Sequence, residues 1–524
     1  MYSYKKIFRH RCSKCGKRHS WYINVSIWIK IINCVFAMRI GSRIKKVKIV
    51  INRKPWLAHN YQFKALDFIL SNPRSALFLD PGLGKTSIML SLLRIKKFQN
   101  KSKKTLIIAP LTVAKNTWPD EIAKWSNFKN LQEFVIHGKT KNEFLKAKNI
   151  DIFLINPEGL KWMHSYLYSM LSKGAKNPFD TLIIDESSLF KSHKSKRFQY
   201  LVDMAPLFKR SHILTGTPSP NSYLDLWSQI YLLDGGKSLG KNYYKFRNAH
   251  FERNSYNEYD WKLKDFHEEI IVDKISHLVL NMSAKDHLKL PPLITNKIPI
   301  RLSKSNMKIY KKLERDLLIK LEDSTISADS QMLLSGKCHQ FANGSIYEDI
   351  PIDLDDAEIA EFKKTRKTIL VHEEKLNVLK NISDELRGKP LLISYNFKHD
   401  LEALRRLYGK DLPYIGSGVS EKEVKNIKTK WNNGELPFLA IQPKSAAYGL
   451  NLQESGNDIF LFSLQWSLEK HIQLIGRIHR QGVKGKEVRV HTPYCLDTID
   501  ELILLKLENK DYKQKTLREL FNLR

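Results

Sequence analysis

The sequence of 524 residues predicts an α/β protein with two parallel-sheet lobes and a helical insertion between them. Two observations lead to this fold class. Short apolar runs alternate with helix-length segments in two separate blocks, residues 75–218 and 389–493. The residues between the blocks are charged, aromatic and mostly helical in pattern. Buried strands that alternate with helices are typical of parallel sheets, so each block predicts one lobe.

Six apolar runs, each bounded by polar residues, Gly or Pro, predict the strands of the first lobe. They are SALFL (75–79), TLIIAP (105–110), FVIHG (134–138), DIFLINP (151–157), TLIID (181–185) and HILTGTP (212–218). Segments of helical length, such as TSIMLSLLRIKKF and AKNTWPDEIAKWS, lie between most of them.

The second block repeats the alternation with five runs. They are KPLLISYNF (389–397), LPYIGSG (412–418), PFLAIQP (437–443), DIFLFSL (458–464) and EVRVHTP (487–493). The segment LKLPPL (288–293) breaks the helical pattern before them and is a plausible lobe boundary. We therefore predict five parts: a basic leader (1–54), lobe one (55–240), a helical insertion and linker (241–365), lobe two (366–500) and a C-terminal helix (501–524).

The chain is strongly basic, with 88 Lys and Arg against 54 Asp and Glu and a net charge of +34. Such an excess attracts polyanions, and nucleic acid is the foremost candidate. A lysine-rich composition inherited from an AT-rich genome is the alternative, because the charge is spread along the whole chain. Five cysteines do not form a disulfide scaffold in a chain of this length, which suits a reducing compartment.

No secretory signal is evident, and the stretch nearest to a membrane span, residues 21–40, is interrupted by Lys30 and Arg39. We therefore expect no membrane span and a cytoplasmic protein. We expect it to act as a monomer.

Cys12 and Cys15 have the spacing of half a zinc ribbon. His10, His19 and Cys34 could complete a zinc site, but no second C-x-x-C follows. The alternative is a basic leader without zinc, and Met38 could be the start of the protein.

The segment DPGLGKT (80–86) joins the strand ALFLD to a helix that begins at Lys85. Glycines allow backbone N–H groups to approach phosphate oxygens, and the helix N-terminus adds partial positive charge. Lys85 can reach the β- and γ-phosphates, and Thr86 can bind Mg²⁺. The usual first Gly of this motif is Leu79 here. The segment predicts a phosphate-binding loop; a chance Gly turn before a helix is the alternative.

Two further segments can complete a phosphate site. Asp185 and Glu186 end a buried strand, where side chains face the ligand crevice of a parallel sheet. Asp185 can hold Mg²⁺ through water, and Glu186 can polarise the attacking water. Arg477 and Arg480 are spaced i, i+3 and share a helix face, so they can stabilise charge on a γ-phosphate held by the other lobe. A solvated basic helix is the alternative for the arginines.

Taken together, these segments resemble the superfamily 2 helicase-like ATPases, and within them the Swi/Snf-type DNA translocases, over roughly residues 55 to 500. The segments run from the adenine-reading segment through motifs I, Ia, II, III, IV, V and VI: HNYQ (59–62), DPGLGKT (80–86), APLTVAKNTWPDEIAKW (109–125), DESS (185–188), LTGTP (214–218), LLISYNF (391–397), AAYGLNLQ (446–453) and QLIGRIHRQG (473–482). HQFANGSIY (339–347) and HEEKLNVL (372–379) resemble compact phage-encoded members.

The resemblance implies two RecA-like lobes of the P-loop NTPase type, with ATP and Mg²⁺ in the cleft between them. The implied catalytic residues are Lys85, Glu186, Arg477 and Arg480. The implied nucleotide-binding residues are Gln62, Pro81, Gly82, Leu83, Gly84, Lys85, Thr86, Ser87, Asp185 and Gly449, with Thr86 and Asp185 as the Mg²⁺ ligands. The implied nucleic-acid contacts are Lys115, Thr215, Ser394, Asn396 and Ser445.

Details at motifs III and VI favour the Swi/Snf branch over RNA helicases of the DEAD type, notably Thr215-Gly216-Thr217 and Gln473. One departure is Ser188, which stands where motif II often ends in His, a position that links the ATP state to motif III. We expect an ATP-dependent motor that translocates on DNA or remodels it. The alternatives are a strand-separating DNA helicase, an RNA helicase and a clamp that binds nucleic acid without hydrolysis.

Overall fold

The computed structural model describes residues 7–11, 18–22, 54–99, 104–144, 147, 149–254, 257–322, 328–348, 367–446 and 450–522. The chain divides into two compact units, Met1–Asn52 and Arg53–Arg524. In the first unit, strands β1 (Ile7–Arg11) and β2 (Arg18–Tyr22) pair antiparallel, with His10 opposite His19. The three cysteines of this unit lie outside the described residues, so the zinc site stays a prediction.

Lobe one of the second unit is built on a seven-stranded, fully parallel sheet, as the alternation of strands and helices predicts. Its strands are β3 (Arg74–Leu79), β4 (Thr105–Ile108), β5 (Glu133–Ile136), β6 (Ile152–Ile155), β7 (Thr181–Asp185), β8 (Arg210–Thr215) and β11 (Val279–Met282). Strands β9 (Phe251–Asn254) and β10 (Asn257–Leu263) form a separate hairpin between β8 and β11 in sequence. The order across the sheet is β11-β3-β8-β7-β4-β6-β5.

Helices cover both faces of this sheet. They are α1 (Asn60–Ser71), α2 (Lys85–Phe98), α3 (Trp118–Lys124), α4 (Thr140–Glu143), α5 (Leu160–Ser172), α6 (Lys196–Met204), α7 (Leu224–Asp234), α8 (Tyr243–His250), α9 (His267–Ile275) and α10 (Ala284–His287). Ala76 and Phe78 of β3 lie in one apolar cluster, and Leu77 and Leu79 lie in another. Because side chains alternate along a strand, this division shows that both faces are buried.

Lobe two holds a six-stranded, fully parallel sheet in the order β12-β19-β18-β15-β17-β16. Its strands are β12 (Leu293–Ile300), β15 (Leu391–Ser394), β16 (Tyr414–Ile415), β17 (Phe438–Ile441), β18 (Asp458–Leu461) and β19 (Val488–Cys495). Strands β13 (Ser345–Tyr347) and β14 (Thr368–Leu370) form a separate antiparallel pair. Its helices are α11 (Lys304–Glu322), α12 (Ala328–Ala342), α13 (Glu374–Glu385), α14 (Lys398–Tyr408), α15 (Glu421–Asn432), α16 (Pro443–Ala446) and α17 (Leu468–Ile475).

The segment 241–365, predicted to be a separate helical insertion, is divided between the two lobes. Its strand β11 pairs with β3 at the edge of the first sheet, and Phe246 and Phe251 lie in the core of lobe one. Its strand β12 pairs with β19 at the edge of the second sheet. The break LKLPPL (288–293) therefore falls between the last strand of one sheet and the first strand of the other, and the predicted boundaries at 240 and 365 are corrected accordingly.

Helix α18 (Ile499–Asn522), predicted as a C-terminal helix over 501–524, belongs to both lobes. Ile503 and Leu507 lie in a core cluster of lobe two, whereas Leu517 lies in the core of lobe one. The ring of Phe521 is 6.1 Å from the ring of Phe78 on β3. The helix thus bridges the lobes. Within the described residues, no helix combines the length and the apolar character that crossing a membrane requires.

Candidate active site between the lobes

The phosphate-binding loop follows β3 and leads directly into α2. Gly82 and Gly84 have φ angles of +91° and +78°, a region that residues with a Cβ rarely adopt. Gly84 precedes the first residue of α2, and no side chain caps this end of the helix. The first N–H groups of α2 are therefore free to bind an anion, which is the arrangement that the sequence predicts.

Lys85 lies on the inside of this loop. Its Nζ donates hydrogen bonds to the carbonyl oxygens of Leu79, at 2.8 Å, and Asp80, at 3.5 Å. Burial lowers the pKa of Lys85, and the carboxylates of Glu186, Asp185 and Asp80 oppose this shift. Lys85 is thus a cation held among carboxylates and loop carbonyls.

Gln62 of α1, predicted to read adenine, packs against the phosphate-binding loop. Its Nε2 donates to the carbonyl of Leu83 at 3.1 Å, and its Oε1 accepts from the N–H of His59 at 3.0 Å. A Cβ on Gly84 would lie 2.5 Å from Gln62 Nε2, so only glycine fits at this contact. Leu83 itself is a core residue of lobe one, and its side chain faces away from the loop's polar side.

The acidic pair of motif II ends β7, beside the loop. The N–H of Glu186 donates to Asp185 Oδ1 at 3.1 Å, and the indole Nε1 of Trp118 donates to Asp185 Oδ2 at 3.0 Å. Glu186 adopts a left-handed backbone with a φ of 56°, a conformation that costs on the order of 1–3 kcal/mol and clusters at functional sites. The backbone at this position is therefore strained.

The pKa of Glu186 is raised to about 7, mainly by burial. The charges of Asp185 and Glu469 contribute to this rise, and Lys85 and Arg477 oppose it. Burial also raises the pKa of Asp185. A carboxyl group with a pKa near neutrality is suited to accept a proton at physiological pH.

Helix α17 ends at Ile475, so Arg477 and Arg480 lie in the turn that follows it and do not share a helix face as predicted. From this turn they approach the acidic cluster from lobe two. Burial and the neighbouring Arg480 lower the pKa of Arg477 to about 10, while Glu186 of lobe one opposes the shift. Arg477 Nε is buried and has no hydrogen-bond partner in the part of the chain that the structure describes. Arg480 donates from Nη1 to Asn451 Oδ1. Arg477 is thus a buried donor beside the acidic pair, available to an anion in the cleft.

Two further contacts bring the lobes together at this point. Ser188 of motif II donates from its Oγ to Glu469 Oε1 of α17, at 2.8 Å. A Cβ on Gly476 of motif VI would lie 3.5 Å from Cβ of Pro81 in the phosphate-binding loop. Motifs I, II and VI, which span nearly the whole second unit in sequence, therefore meet at one place.

The site fits a nucleoside triphosphate with a divalent cation. The loop N–H groups, Lys85 and the unpartnered Arg477 Nε supply donors for phosphate oxygens. Mg²⁺ is usually bound by one or two carboxylates together with substrate phosphates, so Asp185 suffices as its carboxylate. Thr86, the second residue of α2, is in place to be the hydroxyl ligand. Ser87, predicted to contact nucleotide, instead donates from its Oγ to Glu121 Oε2 at 3.1 Å.

The side chains predicted to contact nucleic acid differ in their exposure. Thr215 and Ser394 end β8 and β15, and both side chains are fully buried in this conformation, so their predicted contacts to nucleic acid stay predictions that require a change of conformation. Thr215 Oγ1 accepts the N–H of Thr217 at 3.0 Å and shapes motif III. Asn396 is partly buried and donates from Nδ2 to the carbonyl of Leu464 at 2.7 Å.

Lys115 is partly exposed, and its Nζ lies 3.1 Å from Glu421 Oε1 of α15 in lobe two. It remains a possible phosphate contact. Gly449 lies outside the described residues, and nothing is described for the side chain of Ser445 in α16.

Three contacts at the site were not predicted from the sequence, although Trp118 itself stands in the predicted motif Ia. Trp118 holds Asp185, Glu469 holds Ser188, and Arg518 of α18 forms an ion pair with Asp80, with Nη2 to Oδ1 at 2.7 Å. Arg518 also donates to the carbonyls of Met282 and Gly216. Each contact joins residues far apart in sequence, and only the fold reveals it.

A phosphate-binding loop and an acidic pair on one α/β lobe, facing buried arginines on a second, define a helicase-like ATPase. The chain belongs to the SNF2-related family: the SNF2-related domain matches residues 56–344, and the helicase conserved C-terminal domain matches residues 374–482. These matches confirm the resemblance that the motifs indicate.

Among curated proteins, putative protein p41 of Acyrthosiphon pisum secondary endosymbiont phage 1 is 32% identical, over 89% of this chain and 99% of that protein. The chromatin remodeling factor mit1 of Schizosaccharomyces pombe is 24% identical, over 86% of this chain and 32% of that protein. The chain spans about a third of the length of the chromatin-remodelling factors that it matches. The Sulfolobus solfataricus SWI2/SNF2 ATPase core in complex with dsDNA aligns with a TM-score of 0.39 and 22% identity, covering 90% of this chain and 96% of that one.

Proposed function

We propose that this protein is a DNA-dependent ATPase that uses lobe closure to translocate on duplex DNA or remodel it. The observation that carries the proposal is the contact between the lobes beside the acidic pair, where Ser188 Oγ of motif II donates to Glu469 Oε1 of α17 at 2.8 Å and Gly476 of motif VI lies against Pro81 of the phosphate-binding loop. A site completed by two lobes works only when they are closed, so each hydrolysis cycle can be tied to a change in the relation between the lobes.

Each residue of the site has its own proposed role in ATP hydrolysis. ATP supplies the phosphoanhydride bond that is cleaved, and Thr86 and Asp185 would hold its Mg²⁺. Lys85 and the N–H groups of α2 bind phosphate oxygens, and Gln62 is placed to recognise the base. Glu186 accepts the proton of the attacking water, and Arg477, with Arg480, stabilises charge that develops on the γ-phosphate.

DNA is the proposed partner because the chain carries a net charge of +34 and belongs to the SNF2-related family. Phosphate contacts supply most of the non-specific affinity for DNA. Lys115, in motif Ia, is our candidate contact. The phage relative supports action as a soluble protein in the cytoplasm of a bacterial host. We propose a monomer as the active form.

The decisive experiment measures ATP turnover with duplex DNA, branched DNA, single-stranded DNA and RNA. We expect duplex or branched DNA to stimulate turnover most. Stimulation by RNA alone would identify an RNA helicase, and absence of turnover with every nucleic acid would identify a clamp.

A second assay separates tracking from strand separation. A translocase displaces a third strand from a DNA triplex without parting the duplex, whereas a strand-separating helicase releases a labelled strand from a forked duplex. We expect the first result and not the second. Release of the forked strand at a rate comparable to triplex displacement would favour the helicase alternative.

A further inference from the structure

We infer that Trp118 is a positioning residue that fixes the carboxylate of Asp185 for binding of the divalent cation. The inference deepens the proposed function and rests on it. Trp118 is fully buried, and its indole Nε1 donates to Asp185 Oδ2 at 3.0 Å. The N–H of Glu186 donates to the other oxygen, Oδ1, at 3.1 Å. Both carboxylate oxygens are therefore held, and the orientation of the group is determined from two sides.

The turn before Trp118 explains how the indole reaches the carboxylate. Residues Val113–Thr117 form a π-helical turn, and the backbone N–H of Trp118 closes it by donating to the carbonyl of Val113. A π-turn holds one residue more than an α-helical turn and so rotates the side chains that follow it; such turns occur frequently at functional sites. Helix α3 then begins at Trp118.

Other contacts of α3 fix Trp118 in place. Glu121, one turn further along, accepts hydrogen bonds from Ser87 Oγ at 3.1 Å and from Trp125 Nε1 at 2.5 Å. Ser87 directly follows the predicted Mg²⁺ ligand Thr86. Helix α3 is thus anchored to motif I through Glu121 and to motif II through Trp118, which places one rigid element behind both predicted metal ligands.

The π-turn before α3 contacts lobe two. The Nζ of Lys115, within this turn, lies 3.1 Å from Glu421 Oε1 of α15. Lobe two therefore contacts the turn that positions Trp118.

A hydrogen-bond donor behind a metal ligand orients that ligand, and removing such a partner typically costs about 10–100-fold in metal affinity or activity. The indole N–H cannot itself bind a cation, so its contribution is to orient Asp185. Trp118 does not touch the reacting atoms and is therefore a positioning residue rather than a catalytic one.

The test removes the indole N–H donor at position 118 and keeps an aromatic side chain there. Mn²⁺ binding to the full chain with ADP is measured by electron paramagnetic resonance for wild type and Trp118→Phe. The control is Trp227→Phe, because Trp227 of lobe one is also buried and also donates from Nε1, to the carbonyl of Gly240 at 3.0 Å. We expect Mn²⁺ to bind Trp118→Phe about 10-fold more weakly, and to bind the control within twofold of wild type.

A benzothienyl-alanine at position 118 provides the second variant, because sulfur replaces the N–H in a side chain of nearly the same shape. It should weaken Mn²⁺ binding as Trp118→Phe does while thermal melting stays at the wild-type temperature. The Mg²⁺ concentration for half-maximal turnover should rise in parallel. Wild-type Mn²⁺ affinity in this variant would overturn the inference. Failure of the wild-type protein to bind Mn²⁺ with ADP would instead overturn the proposed function.

Discussion

Ser188 of lobe one and Glu469 of lobe two are joined by a hydrogen bond of 2.8 Å directly beside the catalytic acidic pair. Ser188 occupies the position where motif II often carries His. A serine hydroxyl reaches only a short distance, and the partner from lobe two is a carboxylate that can accept its proton in a hydrogen bond. The contact forms only when the lobes are together, and the same carboxylate raises the pKa of Glu186.

Glu469→Gln should therefore shift the pH dependence of turnover. Glu186 acts as a base only when ionised, and its pKa is raised to about 7, in part by Glu469. Removing that negative charge lowers the pKa of Glu186, so the acidic limb of the profile should move to lower pH. The measurement is kcat against pH with DNA present. Glu454→Gln, at an exposed position of lobe two, is the control. An unmoved acidic limb would show that Glu469 does not act on the base.

Lys85→Ala should abolish ATP turnover while the fold survives. Lys85 is a charge in the phosphate-binding loop, with no apolar core contact to lose. Lys97→Ala, on the same helix, is the control, because Lys97 pairs at the surface with Asp151 at 2.7 Å. Turnover and thermal melting are measured for both. The expectation fails if Lys85→Ala retains turnover, or if it melts well below the control.

Arg477→Ala should leave ATP binding to the open protein nearly intact and reduce hydrolysis about 100-fold or more. Lobe one makes most ground-state contacts, whereas Arg477 acts when the lobes close. Arg480→Ala should behave similarly, and the double variant should lose far less than the product of the two, because the arginines act as a unit. DNA stimulation should vanish in all three.

The affinity for a fluorescent nucleotide measures ATP binding, and turnover with and without DNA measures hydrolysis and its stimulation. DNA-stimulated turnover within a few-fold of wild type in Arg477→Ala would contradict the two-lobe interpretation of motif VI. The segment 473–482 would then have no direct part in hydrolysis.

Affinity for DNA should fall steeply with salt and depend little on sequence. The charge of +34 supplies phosphate contacts, and the described fold includes no base-reading module. With about five phosphate contacts on duplex, log K against log salt should have a slope of about −4 to −5. Fluorescence anisotropy with unrelated duplexes measures the salt dependence and the sequence dependence of the affinity. A slope near zero, or strong discrimination between duplexes, would contradict this prediction.

Lobe one should lose stability in acid through His212. This residue of β8 is fully buried, with Nδ1 2.8 Å from Ser75 Oγ, and burial lowers its pKa from 6.5 to about 3. Between these two values the unfolded chain binds a proton that the folded protein does not, so stability falls as pH falls through the window. His212→Gln should reduce the slope of unfolding free energy against pH by up to about 1.4 kcal/mol per pH unit.

Urea unfolding at pH values from 4 to 7 measures that slope. His277→Gln, at an exposed position, is the control. Equal slopes for wild type and His212→Gln would show that His212 is not buried in its neutral form.

Most strands of both sheets could be predicted because their information is local. A buried strand such as TLIID (181–185) is an almost uninterrupted apolar run. The phosphate-binding loop can be recognised in the sequence by its glycines, which adopt positive φ angles in the structure. Strand β12 (Leu293–Ile300) could not be found this way. It is mostly exposed at the edge of the sheet and contains Asn, Lys and Pro, so its pattern is that of a loop, and its pairing with β19 makes it a strand.

The site was predictable wherever a motif carries its own chemistry. Lys85, Asp185 and Arg477 stand in motifs whose residue types suffice to suggest a role. Thr215 and Ser394 end strands, where side chains alternate between faces, so the sequence could not predict that both side chains are buried in this conformation. Trp118 meets Asp185 across 67 positions of sequence, a contact that no local pattern specifies.

Helix α18 has a consequence for the order in which the protein folds during synthesis. Leu517 belongs to the core of lobe one, although β11, the last strand of that sheet, ends at Met282. Between these residues the ribosome must make all of lobe two, on the order of 10–50 s of translation at about 5–20 residues per second. Throughout that interval the nascent first lobe lacks Leu517 and Phe521, which pack in and against the core cluster that contains Phe78. A chaperone that binds apolar surfaces of nascent chains should therefore raise the yield of active protein.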